Sequence, residues 1–329
     1  METAIYDVVI IGGGPTGISC AIAAKEAGLR YLVLEKGVLT NSIYHFPINM
    51  TFFSTSKLLE IGNTPFISHA DKPSRREALE YYRRVTESWG LQVKLYEEVT
   101  GLQAQNDHYQ IMTRKHSYAA RNVVVATGYY GDARKMGVPG EDLPKVKHYY
   151  DDAHPYIGQK LLVVGAANSA CDVALETWMK GAHVTMAIRE AEIYKGVKYW
   201  IRPNIENRIK EGSIKAYFNT TIREITQTQV VLNTPDGPVT IANDFVLAMT
   251  GYLPDYPFLE SLGLQFTADE NRLPLHNPET LESNLPGVYV AGVLVAGMLT
   301  SKLFIENTRH HGRIIMQNIQ IKRRVGATE

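Results

Sequence analysis

Two glycine-rich turns, and the charged residue that closes each unit they open, hold the chemistry legible in this chain. The first turn is Gly12-Gly13-Gly14-Pro15-Thr16-Gly17, reached from the β-branched run Tyr6–Ile11 and followed by a helical pattern ending at Gly28. A G-x-G-x-x-G between a strand and a helix suits a dinucleotide: Gly12 turns the chain tightly, Gly14 leaves bare backbone for a pyrophosphate, and Gly17 lets helix and strand lie close. The phosphates then meet the free N–H groups of the helix start. A second apolar run, Tyr31–Leu34, stops on Glu35, 23 residues after Gly12, where a carboxylate reads a ribose diol. An ordinary strand–helix turn also carries glycines, but strand, helix and acid together point to FAD or NAD.

The second turn is Gly165-Ala166-Ala167-Asn168-Ser169-Ala170, entered from Leu161-Leu162-Val163-Val164 and followed by a helix to Met179 with Gly181 just beyond. Its G-x-A-x-x-A pattern crowds the close-approach point with methyl groups, so its placement argues more strongly than its letters. The next strand, residues 183–188, runs into Arg189, 24 residues after Gly165. A guanidinium there attracts the 2′-phosphate that a carboxylate would repel. Glu35 therefore suits FAD and Arg189 suits NADPH, with Lys195 and Lys198 following closely enough to complete a phosphate pocket. A surface arginine at a strand end is the alternative.

The rest of the chain must hold these two turns. A buried strand over residues 122–126 ends in Ala126-Thr127-Gly128, and residues 245–251 repeat the device with Met249-Thr250-Gly251. Each marks a passage from one nucleotide domain to the other. The expected fold is α/β, with two Rossmann-like dinucleotide-binding domains: an FAD part over 1–128, an NADPH domain inserted over 129–247, and the FAD part resumed over 248–329. Residues 41–66 read as a long loop with a short helix at 56–61, and a loop of that length in a compact domain is usually functional. Its Thr51, Phe53 and Ser54 lie against a flavin ring or cover the core. Residues 75–89 form a charged amphipathic helix, and 91–118 carry short strands broken at Gly101 and at Asn106-Asp107. Residues 287–292 form another strand into a glycine turn, and a helix over 300–321 either aims its N-terminus at the flavin or only packs the core. His310 and His311 on that helix are expected at solvent or an interface.

Composition excludes several classes. The chain has 329 residues, 34 basic and 34 acidic side chains and no net charge, so a nucleic-acid partner is not expected. The first strand begins by Tyr6, leaving no room for a signal peptide, and no apolar run nears the ~18 residues of a membrane span. A cytoplasmic protein without membrane contact is expected. Cys20 and Cys171 are the two cysteines. They supply neither a disulfide framework nor a metal site.

Nested nucleotide units with a Thr-Gly at each crossover resemble flavoprotein reductases of the thioredoxin reductase type. Thioredoxin reductases proper carry C-x-x-C in the insert, yet residues 151–157 here contain no cysteine. Met50-Thr51-Phe52-Phe53-Ser54-Thr55, Ala126-Thr127-Gly128-Tyr129-Tyr130, Val138-Pro139-Gly140-Glu141-Asp142 with His148-Tyr149-Tyr150, Val197-Lys198-Tyr199-Trp200 and Phe304-Ile305-Glu306-Asn307 are similar to the bacillithiol disulfide reductase family, also called bacilliredoxin reductases. That resemblance covers nearly the whole chain. It implies bound FAD, NADPH as donor, a small-molecule disulfide or small redox protein as acceptor, a cytoplasmic enzyme and a homo-oligomer, dimer or tetramer.

The expected FAD contacts are Gly12, Gly14, Pro15, Thr16, Gly17, Glu35, Lys36, Thr51, Ser54, Thr127, Gly128 and Gly292. The expected NADPH contacts are Gly165, Ala167, Asn168, Ser169, Ala170, Arg189, Lys195, Thr250 and Gly251. Two departures stand out. The family position of a cysteine after the loop proline holds Thr16, whose hydroxyl cannot exchange with a disulfide as a thiolate does. Cys20, one helical turn on, is a stand-in or a small buried hydrophobe. Where flavoproteins commonly place an aspartate after the last Ala-Gly, the chain has Val293. No catalytic residue or metal ligand is assigned.

Rival chemistries remain. A ferredoxin or flavodoxin reductase on the same scaffold also needs no active-site cysteine. A flavin monooxygenase usually shows F-x-G-x-x-x-H, and residues 130–137 lack the histidine. A non-catalytic redox sensor would bind both cofactors without steady turnover.

Overall fold

The computed structural model describes residues 5–325. The chain divides into two compact units, one of residues 1–132 and 252–329, the other of residues 133–251. The crossings lie four residues beyond the 128 and 247 expected from the Thr-Gly markers.

In the first unit, the apolar runs become strands because β-branched side chains fit a sheet buried on both faces. Strand β1 (Tyr6–Ile11) leads into helix α1 (Pro15–Glu26) and strand β2 (Tyr31–Leu34). Strands β3 (Val93–Lys94), β4 (Val99–Ala104), β5 (Tyr109–Thr113) and β6 (Ser117–Val125) follow. Among the described residues they form a seven-stranded sheet in the order β3-β2-β1-β6-β5-β4, with Val288–Val290 added beside β6. The central strands run parallel, while β4, β5 and β6 form an antiparallel meander. Gly101 does not break its strand; it sits in β4, where the pairing register shifts between Val99 and Gly101.

The helix Arg75–Ser88 starts on a capping box between Ser74 and Glu77. Its Ala78, Tyr81, Tyr82 and Val85 are buried, while Arg83 and Arg84 pair with acidic side chains on the outer face. The helix expected over residues 300–321 is two helices, Ile305–Thr308 and His311–Val325. Contacts from α1 force the interruption. The Arg309 carbonyl accepts a bond from the Ser19 hydroxyl, and Gly312 is held so close to α1 that a Cβ there would lie 2.7 Å from the Cys20 Cα.

The second unit repeats the plan. Lys160–Val164, the helix Asn168–Met179 and His183–Ala187 form its βαβ element. Its five-stranded parallel sheet also includes Val146–Lys147, Phe245–Ala248 and Lys215–Tyr217. A separate antiparallel sheet of three strands spans Thr221–Ile225, Gln229–Thr234 and Gly237–Ala242.

Candidate functional site

Each glycine of the first loop has a different neighbour. At Gly12, where φ is +110°, a Cβ would lie 2.5 Å from the Ala126 carbonyl oxygen, so glycine is required by both conformation and space. At Gly17 a Cβ would lie 1.9 Å from the Gly12 carbonyl oxygen, which fixes how closely α1 packs on β1. Gly14 differs: its φ is −76° and, its chain neighbours aside, nothing among the described residues lies within 4 Å of the position of a Cβ. The protein itself does not need glycine there. Space left at the start of α1, beside unpaired helix N–H groups, is what a pyrophosphate requires. Pro15 begins the helix, where its missing N–H costs nothing.

Glu35 is buried at the end of β2, and its two carboxylate oxygens accept from the Gly13 amide at 2.7 Å and the Gly37 amide at 2.8 Å. Burial raises its pKa, opposed by these amides. The carboxylate is thus tied to the glycine loop, with lone pairs left for a diol. The fold also brings Thr127, Gly128 and Gly292 to this loop. A Cβ on Gly292 would lie 3.1 Å from Thr16 Oγ1, and one on Gly128 3.9 Å from Val293 Cγ2. Thr127 Oγ1 is a buried polar atom without a hydrogen-bond partner among the described residues. Such an atom usually has an explanation, and a polar ligand in the loop supplies one. Lys36 is exposed and extends toward Gly131. These residues fit a bound FAD.

Thr16 is buried, with Oγ1 3.2 Å from Thr308 Oγ1. Because Thr308 donates to the Phe304 carbonyl at 2.9 Å, the proton between the two hydroxyls belongs to Thr16. Cys20 is fully buried, and burial pushes its thiol up to about 12. Cys171 is also sealed and raised to about 12, by burial and then by Asp172 and Glu206. In the 51–54 stretch, Thr51 and Phe53 are exposed while Phe52 and Ser54 are buried. Phe52, not Phe53, is the core residue.

His311 corrects the expectation of a solvent or interface histidine. It is buried at the start of the last helix, and its Nδ1 accepts from the Gly292 amide at 3.1 Å. Burial, then the charges of His276 and His310, lowers its pKa from 6.5 to about 4. Nothing in the neighbouring sequence signals this, because its partner lies 19 residues upstream. The fold holds the neutral ring while the unfolded chain takes up the proton first. Stability therefore falls as pH drops from 6.5 toward about 4 and levels off below. An His311→Asn variant, whose Oδ1 can take the same amide, should lose less of its thermal midpoint across that window than the unsubstituted protein. Equal losses would contradict the assignment.

In the second unit, Gly165 copies Gly12: its φ is +124°, and a Cβ would lie 2.6 Å from the Met249 carbonyl oxygen. Ala170 replaces Gly17, and its methyl would sit 3.3 Å from that Cβ. Ala167 and Ser169 are exposed at the helix start. Asn168 Oδ1 accepts from the Lys198 amide at 2.9 Å, and the Tyr194 amide donates to the Ala166 carbonyl at 3.1 Å. These bonds fold the 190–198 segment back onto the turn. The Thr250 hydroxyl bonds the Arg134 carbonyl, and Gly251 has a φ of +96°. Arg189 is exposed and pairs with Glu190 Oε1 at 2.9 Å, while Lys195 pairs with Glu192 at 3.2 Å. Lys198 points elsewhere, to Asp172 at 2.8 Å. Arg189 and Lys195 are the cations left near the strand end for a phosphate.

Two nested Rossmann units, each with its glycine turn at a strand-to-helix junction, have the two-domain fold of thioredoxin reductases. Residues 9–292 match the family described as pyridine nucleotide-disulphide oxidoreductase. The chain is 44% identical over 313 residues to bacilliredoxin reductase Bdr of Bacillus subtilis (strain 168), covering 94% of this chain and 96% of that protein. Among solved structures, bacillithiol disulfide reductase Bdr (YpdA) from Staphylococcus aureus has a TM-score of 0.94 at 42% identity, covering 96% of this chain and 98% of that one. Its counterpart from Bacillus cereus gives 0.95 at 40% identity, covering 97% and 100%. The chain belongs to the pyridine nucleotide-disulphide oxidoreductases, in their bacillithiol disulfide reductase branch. It is an enzyme whose cofactors are FAD and NADPH. Among the described residues no helix is long and apolar enough to cross a membrane.

Proposed function

We propose that this enzyme reduces a low-molecular-weight thiol disulfide of the bacillithiol type, or the disulfide of a small redox protein. The observation that carries the substrate is the 44% identity, over nearly the whole of both chains, to a bacilliredoxin reductase. One NADPH and one proton are consumed for each disulfide, giving NADP⁺ and two thiols. Bound FAD supplies a two-electron carrier between the nicotinamide and the disulfide.

The protein's part is to hold and select. The Gly12–Gly17 turn offers N–H groups to the FAD pyrophosphate, Glu35 takes the ribose diol, and the Thr127 hydroxyl gains a partner. In the insert, the turn at 165–170 receives the other pyrophosphate, and Arg189 with Lys195 exchanges its carboxylate partner for the 2′-phosphate. Both cysteines are sealed, so electrons pass to the acceptor disulfide without a thiol relay in this chain. The enzyme works in the cytoplasm as a homo-oligomer, as the family resemblance implies.

Anaerobic titration of the yellow protein with NADPH, followed by bacillithiol disulfide and a bacilliredoxin, tests this reading. Flavin that is bleached by NADPH and recoloured by neither acceptor would overturn the substrate assignment. Recolouring by ferredoxin instead would favour the rival reductase. A Cys20→Ala/Cys171→Ala double variant should keep NADPH-driven disulfide reduction within about twofold, because a thiol held near 12 is almost wholly protonated at neutral pH. Loss of turnover with flavin reduction intact would restore a thiol to the path.

A further inference from the structure

Among the described residues, six non-glycine residues have positive φ: Thr40, Asn63, Tyr96, Asn219, Arg272 and Leu281. Five have an evident reason. Asn63 and Asn219 are the residue type that tolerates this conformation best after glycine. Thr40 and Leu281 are buried and packed, and Arg272 stacks on the Tyr256 ring at 4.0 Å. Tyr96, at φ +55°, has none of these compensations: it is 58% exposed. Among the described residues neither a ring contact nor a hydroxyl hydrogen bond accounts for it.

Its backbone is clamped on both sides. The Tyr96 amide donates to the Gly37 carbonyl at 3.1 Å, and the Glu97 amide donates to the Glu35 carbonyl at 2.8 Å. The buried Glu97 carboxylate takes the Thr113 hydroxyl and lies 3.0 Å from His116 Nδ1. The fold thus fixes an aromatic residue in a disfavoured conformation, beside the loop that carries the ribose-reading carboxylate, and gains little packing from its ring. Strain of this kind persists where the surroundings over-determine it, and it collects at ligand sites.

We propose that the Tyr96 ring is a wall of the adenosine end of the FAD site, covering the base next to the ribose held by Glu35. This rests on the assignment of FAD to the first glycine loop. An aromatic face suits an adenine because stacking needs no hydrogen-bond pattern.

The test is the FAD affinity of the holoenzyme, read from the flavin fluorescence recovered on serial dilution, together with its thermal midpoint at FAD set to the same multiple of each variant's own Kd, so that weaker binding alone does not move it. Tyr96→Asn keeps the turn in a residue suited to it and removes the ring; FAD should bind about tenfold more weakly while the midpoint is unchanged or higher. Tyr96→Phe should stay within about twofold of the unsubstituted protein, since its ring is kept. Undiminished affinity in the Asn variant, or equal loss in the Phe variant, would overturn the proposal. So would a lowered midpoint accompanying weaker binding, which marks a structural role. Failure of the FAD assignment reads differently: the unsubstituted protein would itself hold no flavin.

Discussion

Gly14→Ala is expected to give a folded protein that purifies colourless. At φ −76°, with no atom of the described residues beyond its chain neighbours within 4 Å of the new methyl, alanine fits the polypeptide without strain. The methyl instead takes space that the pyrophosphate needs against the backbone. Overpacking of this kind costs about 3 kcal/mol at its upper end, on the order of 100-fold in FAD affinity. Absorbance of bound flavin per polypeptide, set against the thermal midpoint, checks it. Gly17→Ala provides the contrast, because its methyl would collide with the Gly12 carbonyl at 1.9 Å and must push α1 off β1. That variant should lose fold and flavin together. A Gly14→Ala protein that stays as yellow as its parent would remove the phosphate from this turn.

Arg189→Ala should lower kcat/KM for NADPH by roughly 100-fold, in line with a charged hydrogen bond worth up to about 3 kcal/mol. The value for NADH should change by no more than about twofold, because that cofactor has no 2′-phosphate to lose. The pair Arg189 makes with Glu190 at 2.9 Å does not oppose this. Both partners are exposed, and such pairs contribute only about 0–1 kcal/mol, so a doubly charged phosphate displaces the carboxylate easily. Stopped-flow reduction of the flavin by each nucleotide separates the cases. Equal use of NADH and NADPH by the unsubstituted enzyme would refute the role given to Arg189.

The parts of this molecule readable in advance are those built from short-range rules. Residues 6–35 and 160–188 announced their strands and helices because hydrophobic period, turn glycines and terminal charge agree within some 30 residues. What escaped depends on partners far along the chain. Thr16 and Thr308 are 292 positions apart, and Ser19 and Arg309 are 290 apart. Those contacts split the last helix, although its own residues read as continuous. His311 reads as an ordinary histidine until Gly292 and His276 are brought beside it. Lys198 follows Lys195 by three residues, yet Asp172 on the helix Asn168–Met179 draws it away from the strand end. Gly101 read as a breaker, but a strand accommodates glycine by a bulge.

The same distant pairing orders events during synthesis. Residues 133–251 form a unit whose strands have all been translated by Ala248, so the insert can fold while later residues are still being added. The surrounding unit must wait longer, because the strand Val288–Val290 and the helix packed on α1 are made after the whole insert. Its opening glycine turn waits, translated early and closed late, and the flavin finds a finished cradle only after the insert has had its chance to fold.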